Sequence, residues 1–185
     1  MQKIIKLIST NKNQFEDITV NCKVVDIKKY VKNELKTKQI KQAKKYFIVK
    51  AKQAEVGEKV FTRPIVERNG KEYYLDETKN IVKEKGSMII INPMGEEYIV
   101  KPDDFVKKYK ETDKENTYFA VGDAIDYIEL TEDIVFIAPW GQEMIGLKGG
   151  VLNITNLNDI YSIQNTCFKN TYLKLEKQKN EDFSL

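Results

Sequence analysis

Apolar and polar residues alternate in short runs along most of this chain, and few runs are long enough for an extended helix. Period-two or continuous apolar runs predict strands over residues 4–8, 18–27, 46–49, 59–66, 88–92 and 96–101, and again over 118–121, 136–139, 151–155 and 159–163. One stretch has the helical period instead: Ile27, Tyr30, Val31 and Leu35 share a face, while Lys28, Lys29, Lys32 and Lys36 occupy the other. That rhythm slips between Leu35 and Ile40, so the helix is expected to end there and residues 36–45 to be mostly solvated. Asn69-Gly70 marks a hairpin, because both residue types tolerate positive φ. Pro93-Met94-Gly95 marks a second turn. Short helices are expected from Pro102, carrying Phe105 and Tyr109 on one face, and from Asn165, carrying Phe168 and Tyr172.

The same pattern is written twice. Residues 85–111 and 148–174 match at an offset of 63, which puts Lys85-Gly86 on Lys148-Gly149, Ile91 on Ile154, Tyr98 on Tyr161, Phe105 on Phe168 and Tyr109 on Tyr172. Residues 46–49 are matched to 118–121, and 61–64 to 136–139. A rival register 46 residues apart pairs Pro93-Met94-Gly95 with Pro139-Trp140-Gly141 but cannot also align the aromatic pairs. The predicted fold class is α+β: two similar antiparallel β-hairpin-plus-short-helix units with an N-terminal β/α extension. The units are residues 46–112 and 113–176, the extension is 1–45, and 177–185 is a charged tail.

Composition narrows the function classes. The 185 residues include 31 basic and 28 acidic ones, a net charge of +3 that biases the chain only mildly toward acidic partners. Cys22 and Cys167 lie far apart without metal-ligand spacing, which predicts reduced thiols and a cytoplasmic protein. No run approaches the roughly 18 apolar residues of a membrane span, so no membrane partner is expected. Histidine is absent, which removes Ser-His and Cys-His nucleophile pairs, His-based zinc sites and the usual neutral-pH acid–base group.

Each half resembles a family of small phage and bacterial proteins named for a Pro-Gly-Asp-Tyr-Gly motif. The residues carrying the resemblance are Lys85-Gly86-Ser87-Met88-Ile89, Gly95-Glu96-Glu97-Tyr98 and Phe105 with Tyr109, then Lys148-Gly149-Gly150-Val151-Leu152, Asn158-Asp159-Ile160-Tyr161 and Phe168 with Tyr172. The resemblance implies a phage or mobile-element origin, hence the cytoplasm of an infected host cell, and brings no reaction with it. Where the family motif carries an acid after the glycine, this chain has Ser87 and Gly150.

No residue set is expected to be catalytic or to hold a metal or cofactor. The run from Gly141 to Gly149 nearly spells a phosphate loop, but Leu147 separates the glycine from Lys148 and no Ser or Thr follows. The carboxylate pairs Glu96-Glu97, Asp103-Asp104 and Glu132-Asp133 are neighbours that point apart in a strand or serve a helix start. Residues 23–52 hold eleven lysines against two acids, a surface that suits RNA or DNA contact by counterion release. Candidate binding residues are Lys28, Lys29, Lys32, Lys36, Arg63, Arg68, Trp140 and Lys148. The expectation is a non-enzymatic binding protein that inhibits or sequesters a host protein or ribonucleoprotein, of the anti-defence or anti-CRISPR type against an RNA-guided nuclease. The alternatives are a small enzyme on nucleotide or phosphate substrates, with Lys148 or Arg63 meeting an acid in a pocket, and a phage structural or assembly protein.

Overall fold

The computed structural model describes residues 1–75 and 78–175, so the expected charged tail lies outside the described residues. The strands are β1 (Gln2–Ser9), β2 (Ile18–Val25), β3 (Lys41–Lys45), β4 (Phe47–Gln53), β5 (Lys59–Thr62), β6 (Ile65–Arg68), β7 (Lys71–Tyr74), β8 (Thr78–Ile81) and β9 (Met88–Ile91). They continue with β10 (Glu97–Val100), β11 (Tyr109–Glu111), β12 (Thr117–Ala120), β13 (Ile125–Glu129), β14 (Ile134–Ile137), β15 (Glu143–Gly146), β16 (Val151–Asn153), β17 (Tyr161–Ile163) and β18 (Tyr172–Leu175). The helices are α1 (Ile27–Glu34), α2 (Pro102–Lys108) and α3 (Asn165–Thr171).

The α+β expectation of hairpin-plus-helix units is overturned, because the molecule is mostly β, with 47% strand and 13% helix spread over several sheets. The reason is physical. A helix of seven or eight residues closes barely two turns and depends on a sheet to hold it. Meanwhile the long-range ladders recruit segments with no apolar signal of their own. Residues 41–45, expected to be solvated, form β3 in the interior of a sheet between β13 and β18. Ala43 is fully buried there, and of the strand's lysines only Lys45, on the same face, is half-buried.

Two five-stranded sheets share one plan. The first runs β10-β9-β4-β12-β11 and the second β17-β16-β13-β3-β18. In each, a hairpin leads into a short helix that carries the chain from one edge strand to the other, β10–α2–β11 and β17–α3–β18. The registers agree at the offset of 63, with Tyr98 opposite Ile90 and Tyr161 opposite Asn153. The stacked pairs Phe105–Tyr109 and Phe168–Tyr172 have ring centroids 5.2 and 5.1 Å apart. Gly86 and Gly149 both adopt a left-handed backbone, φ 84° and 88°, that a side chain would strain.

The sheets exchange strands. β3 runs directly into β4 yet lies in the second sheet, while β12 precedes β13 yet lies in the first. Residues 46–49 and 118–121 are therefore not counterparts; they are neighbours, with Phe47, Ile48 and Val49 opposite Ala120, Phe119 and Tyr118.

A third sheet, β15-β14-β2-β1-β7-β6, ties the N-terminal strands to the hairpins β6–β7 and β14–β15. Hairpin β6–β7 turns through Asn69 and Gly70, both at positive φ, and sits as an insertion between the paired strands β5 and β8. In the second run β14 pairs directly with β15 around the Trp140 turn. α1 starts at Asp26, whose side chain accepts the Lys29 N–H, and buries Ile27, Tyr30 and Val31 against Ile128, Ile134, Phe136 and Leu152. A neighbouring core gathers Leu7, Cys22, Val66, Tyr73 and Val135.

Candidate functional site

The chain passes from the second sheet to the first at Tyr46, between Lys45 and Phe47, and at this crossing lies a cavity of about 440 Å³. The second sheet and α3 contribute Lys45, Tyr161, Cys167 and Tyr172; the first contributes Phe47, Asn92, Glu96 and Tyr98. Pro64, Leu75, Met144 and Ile145, from the strands and turns of the two hairpins, close it on the remaining side.

Much of the polar lining is committed to holding the walls. Thr62 donates to the Glu97 carbonyl at 2.7 Å, and Ser162 and Gln164 both donate to the Ile145 carbonyl, at 2.8 and 2.6 Å. The Asn92 side chain accepts from the Met94 and Glu96 N–H groups and donates to the Glu96 carboxylate at 3.1 Å. The Tyr98 and Tyr109 hydroxyls share a hydrogen bond of 3.0 Å, and Tyr161 accepts from Asn153 at 2.7 Å. Burial pushes the hydroxyls of Tyr98, Tyr161 and Tyr172 up, which keeps them as neutral hydrogen-bonding groups.

Lys45, Glu96 and Cys167 converge on this space. Burial lowers the Lys45 ammonium and raises the Glu96 carboxyl, each moderated by the other's charge. Burial also raises the Cys167 thiol, with the Glu96 charge adding to it, so Cys167 is held as a neutral thiol rather than an activated nucleophile. The Lys45 Nζ stands 5.8 Å from the Tyr172 ring centroid. Among the described residues no hydrogen bond or ion pair engages that ammonium. A half-buried cation without a counter-ion is costly, and the matching place in the first sheet, opposite Tyr109 instead of Tyr172, is filled by Ala120. Packing alone is met by alanine there.

The residues singled out from the sequence fall elsewhere. Lys28 donates to the Asn158 side chain at 2.9 Å, Lys29 and Lys32 stand exposed on α1, and Lys36 is exposed just beyond it. Arg68 pairs with Asp133 at 2.5 Å, and the same carboxylate oxygen accepts the Lys148 N–H at 2.7 Å. Arg63 lies over the Tyr74 ring, 5.2 Å from its centroid, and Trp140 is 48% exposed with its indole N–H on Gln142. Arg63 and Trp140 flank the cavity's lining, next to Pro64 and Gln142, while the α1 lysines are on a different surface. The other lysines of residues 23–52 are partly consumed by ion pairs, Lys23–Glu132, Lys38–Glu34, Lys41–Glu129 and Lys52–Glu58. Residues 141–149 are a turn followed by β15 and a second turn.

Sequence reasoning missed Lys45, Tyr98, Tyr161 and Cys167 as one site. The available signal was the matched pair Tyr98 and Tyr161, which recurs at the offset of 63. Among the described residues no group of three or more His, Cys, Asp or Glu is placed to hold a metal ion, and no helix is long and apolar enough to cross a membrane. Comparison with protein-family models, curated proteins and solved structures finds no match. The functional reading therefore rests on the geometry of the cavity.

Proposed function

We propose that this is a non-enzymatic binding protein that sequesters a small polar molecule in the cavity between its two sheets. The observation that carries this reading is the convergence of Lys45, Glu96 and the tyrosines from both sheets on one cavity of about 440 Å³, a size in the range of small-molecule sites. The walls are fixed by hydrogen bonds among Asn92, Ser162, Gln164 and the backbone, so little ordering is required on binding. The expected lysine-rich contact surface is a weaker candidate, since its charges are dispersed over β2, α1, β3 and β4 and partly paired.

Cys167 supplies the test. It lines the cavity, whereas Cys22 is fully buried and serves as an internal reference. Alkylation of Cys167 by excess iodoacetamide, run long enough for this neutral thiol to react fully in the purified chain, is followed with and without fractionated small-molecule extract from the expression host, alongside native mass spectrometry of the purified chain. Protection of Cys167, with one added small-molecule mass per chain, supports sequestration. Equal alkylation in every fraction and a bare mass throughout would remove it.

A further inference from the structure

We infer that the occupant of this cavity is a small organic acid, one carboxylate or phosphate group pairing with Lys45 and an adjacent N–H or O–H donor reaching Glu96. This rests on the reading of the cavity as a binding site. The strand exchange delivers Lys45 to the cavity wall at the end of β3, in the register position that Ala120 fills in the first sheet. A lysine held there over the Tyr172 ring, with no hydrogen bond or ion pair among the described residues, is a cation awaiting an anion, and an organic acid supplies it.

Glu96 sets the second requirement. Its carboxylate takes one hydrogen bond, from Asn92 on Oε2, and no ion pair joins it to Lys45 among the described residues. A bare anion alone would meet Lys45 but leave Glu96 opposing it, so the ligand must present a donor beside its acidic group. Phe47, Pro64, Leu75, Met144, Ile145 and Ile163 supply an apolar part of the remaining wall that favours a carbon-rich or ring-bearing body over a bare ion, while polar Asn80, Gln142 and Glu143 complete it, the Glu143 carboxylate being paired with Lys3 at 2.6 Å. Thr62, Ser162 and Gln164 are already engaged with backbone carbonyls and are not counted as ligand groups.

The test is calorimetric titration of the full chain with four probes: L-phenylalanine and adenosine monophosphate, one acid of each kind, against L-phenylalaninamide and adenosine, which lack the anion. The expected result is saturable binding of at least one acid, with its counterpart lacking the anion and the Lys45→Ala variant each weaker by about tenfold or more, the loss of one charge-assisted bond. Ala already occupies the matching place in the first sheet, so this variant keeps the backbone, and Lys45→Arg, which keeps the charge, should retain binding within about threefold. Equal affinity for the acid and its counterpart lacking the anion overturns the inference, as does unchanged acid binding by Lys45→Ala. If neither acid binds, the inference falls; the sequestration reading then stands or falls separately on Cys167 protection by cell extract.

Discussion

The two five-stranded sheets follow one plan but are buried very differently. In the second, Thr166, Phe168 and Thr171 of α3 are buried and every residue of β16 is inside; in the first, α2 buries nothing and Val106 is 78% exposed. The cause lies outside the shared module. The inserted hairpin β6–β7 docks on α3, where the Asn165 side chain bonds both the N–H and the carbonyl of Glu67, at 3.2 and 3.1 Å. α1 closes the other side of the second sheet with Ile27, Tyr30 and Val31. No such cover reaches α2 among the described residues. A duplicated module thus becomes one enclosed half and one open half through additions that attach to a single copy, and the cavity forms where the enclosed half meets the open one.

Truncating the matched rings tests that comparison most strongly. Phe168→Ala removes a buried ring that contacts Tyr127 and Tyr172, at centroid distances of 4.8 and 5.1 Å, and should cost about 3–5 kcal/mol in urea unfolding. Phe105→Ala, from the half-buried counterpart stacked on Tyr109, should cost roughly half as much because its site can relax toward solvent. Equal costs would show that the two modules are equally enclosed.

A reciprocal exchange at the glycine turns comes next in size. A Cβ on Gly150 would lie 2.8 Å from the Ile163 carbonyl and 3.0 Å from that of Leu147, so Gly150→Ser forces the backbone apart and should cost about 1–3 kcal/mol. At the matching place Ser87 is buried and donates to the Glu84 carbonyl at 2.8 Å, and Ser87→Gly should cost about 1 kcal/mol for that bond and the added chain freedom. Chemical denaturation of both variants reads the difference directly.

These contrasts explain what the residue pattern could and could not convey. The hairpins β9–β10 and β16–β17 and the Asn69-Gly70 turn are local, each encoded by neighbouring residues, and lie where the pattern places them; the two ring pairs stack as their spacing suggests, but Tyr109 and Tyr172 open β11 and β18 instead of riding on the helices. The strand exchange is not local. β4 and β12 look like repeats of each other because Tyr46-Phe47 and Tyr118-Phe119 read alike, when they are partners in one ladder and the matched rings face opposite ways, Phe47 buried and Phe119 exposed. β3 carries a single fully buried residue, Ala43, among lysines, so no apolar period announces it. Lys45 is one of eleven lysines in its stretch, and only the register against Tyr172 separates it from the rest. The mostly-β balance follows from the same blindness, since strands made of lysine-rich segments escape a count of apolar runs.

The docking contact itself offers a smaller effect. Pro102 occupies the place of Asn165 at the start of α2, against Gly86 as Asn165 is against Gly149. Asn165→Pro keeps a residue suited to the first helical turn but removes both bonds to Glu67, and should cost about 1 kcal/mol. Hydrogen exchange should quicken across residues 65–74 while β16 and β17 stay protected. Uniformly faster exchange would mean that Asn165 holds the sheet rather than the hairpin.

The smallest effect concerns the charge at the boundary between the two halves. Burial raises the Glu96 carboxyl above its ordinary value of 4.5, so the folded chain holds this proton more readily than the unfolded one. Stability from that preference is fully present below pH 4.5 and is lost as pH rises through the folded-state value, which leaves a charged, poorly solvated carboxylate at neutral pH. Glu96→Gln removes the titration, so the variant should equal or exceed the wild type in thermal stability at pH 7, and the gain should vanish below pH 4.5. At the matching position Asp159 is exposed, and Asp159→Asn should leave stability within about 0.5 kcal/mol of the wild type. A Glu96→Gln variant less stable than the wild type at pH 7 would mean that the carboxylate is satisfied by Lys45 in the empty protein, and the cation in the cavity would then have its counter-ion already.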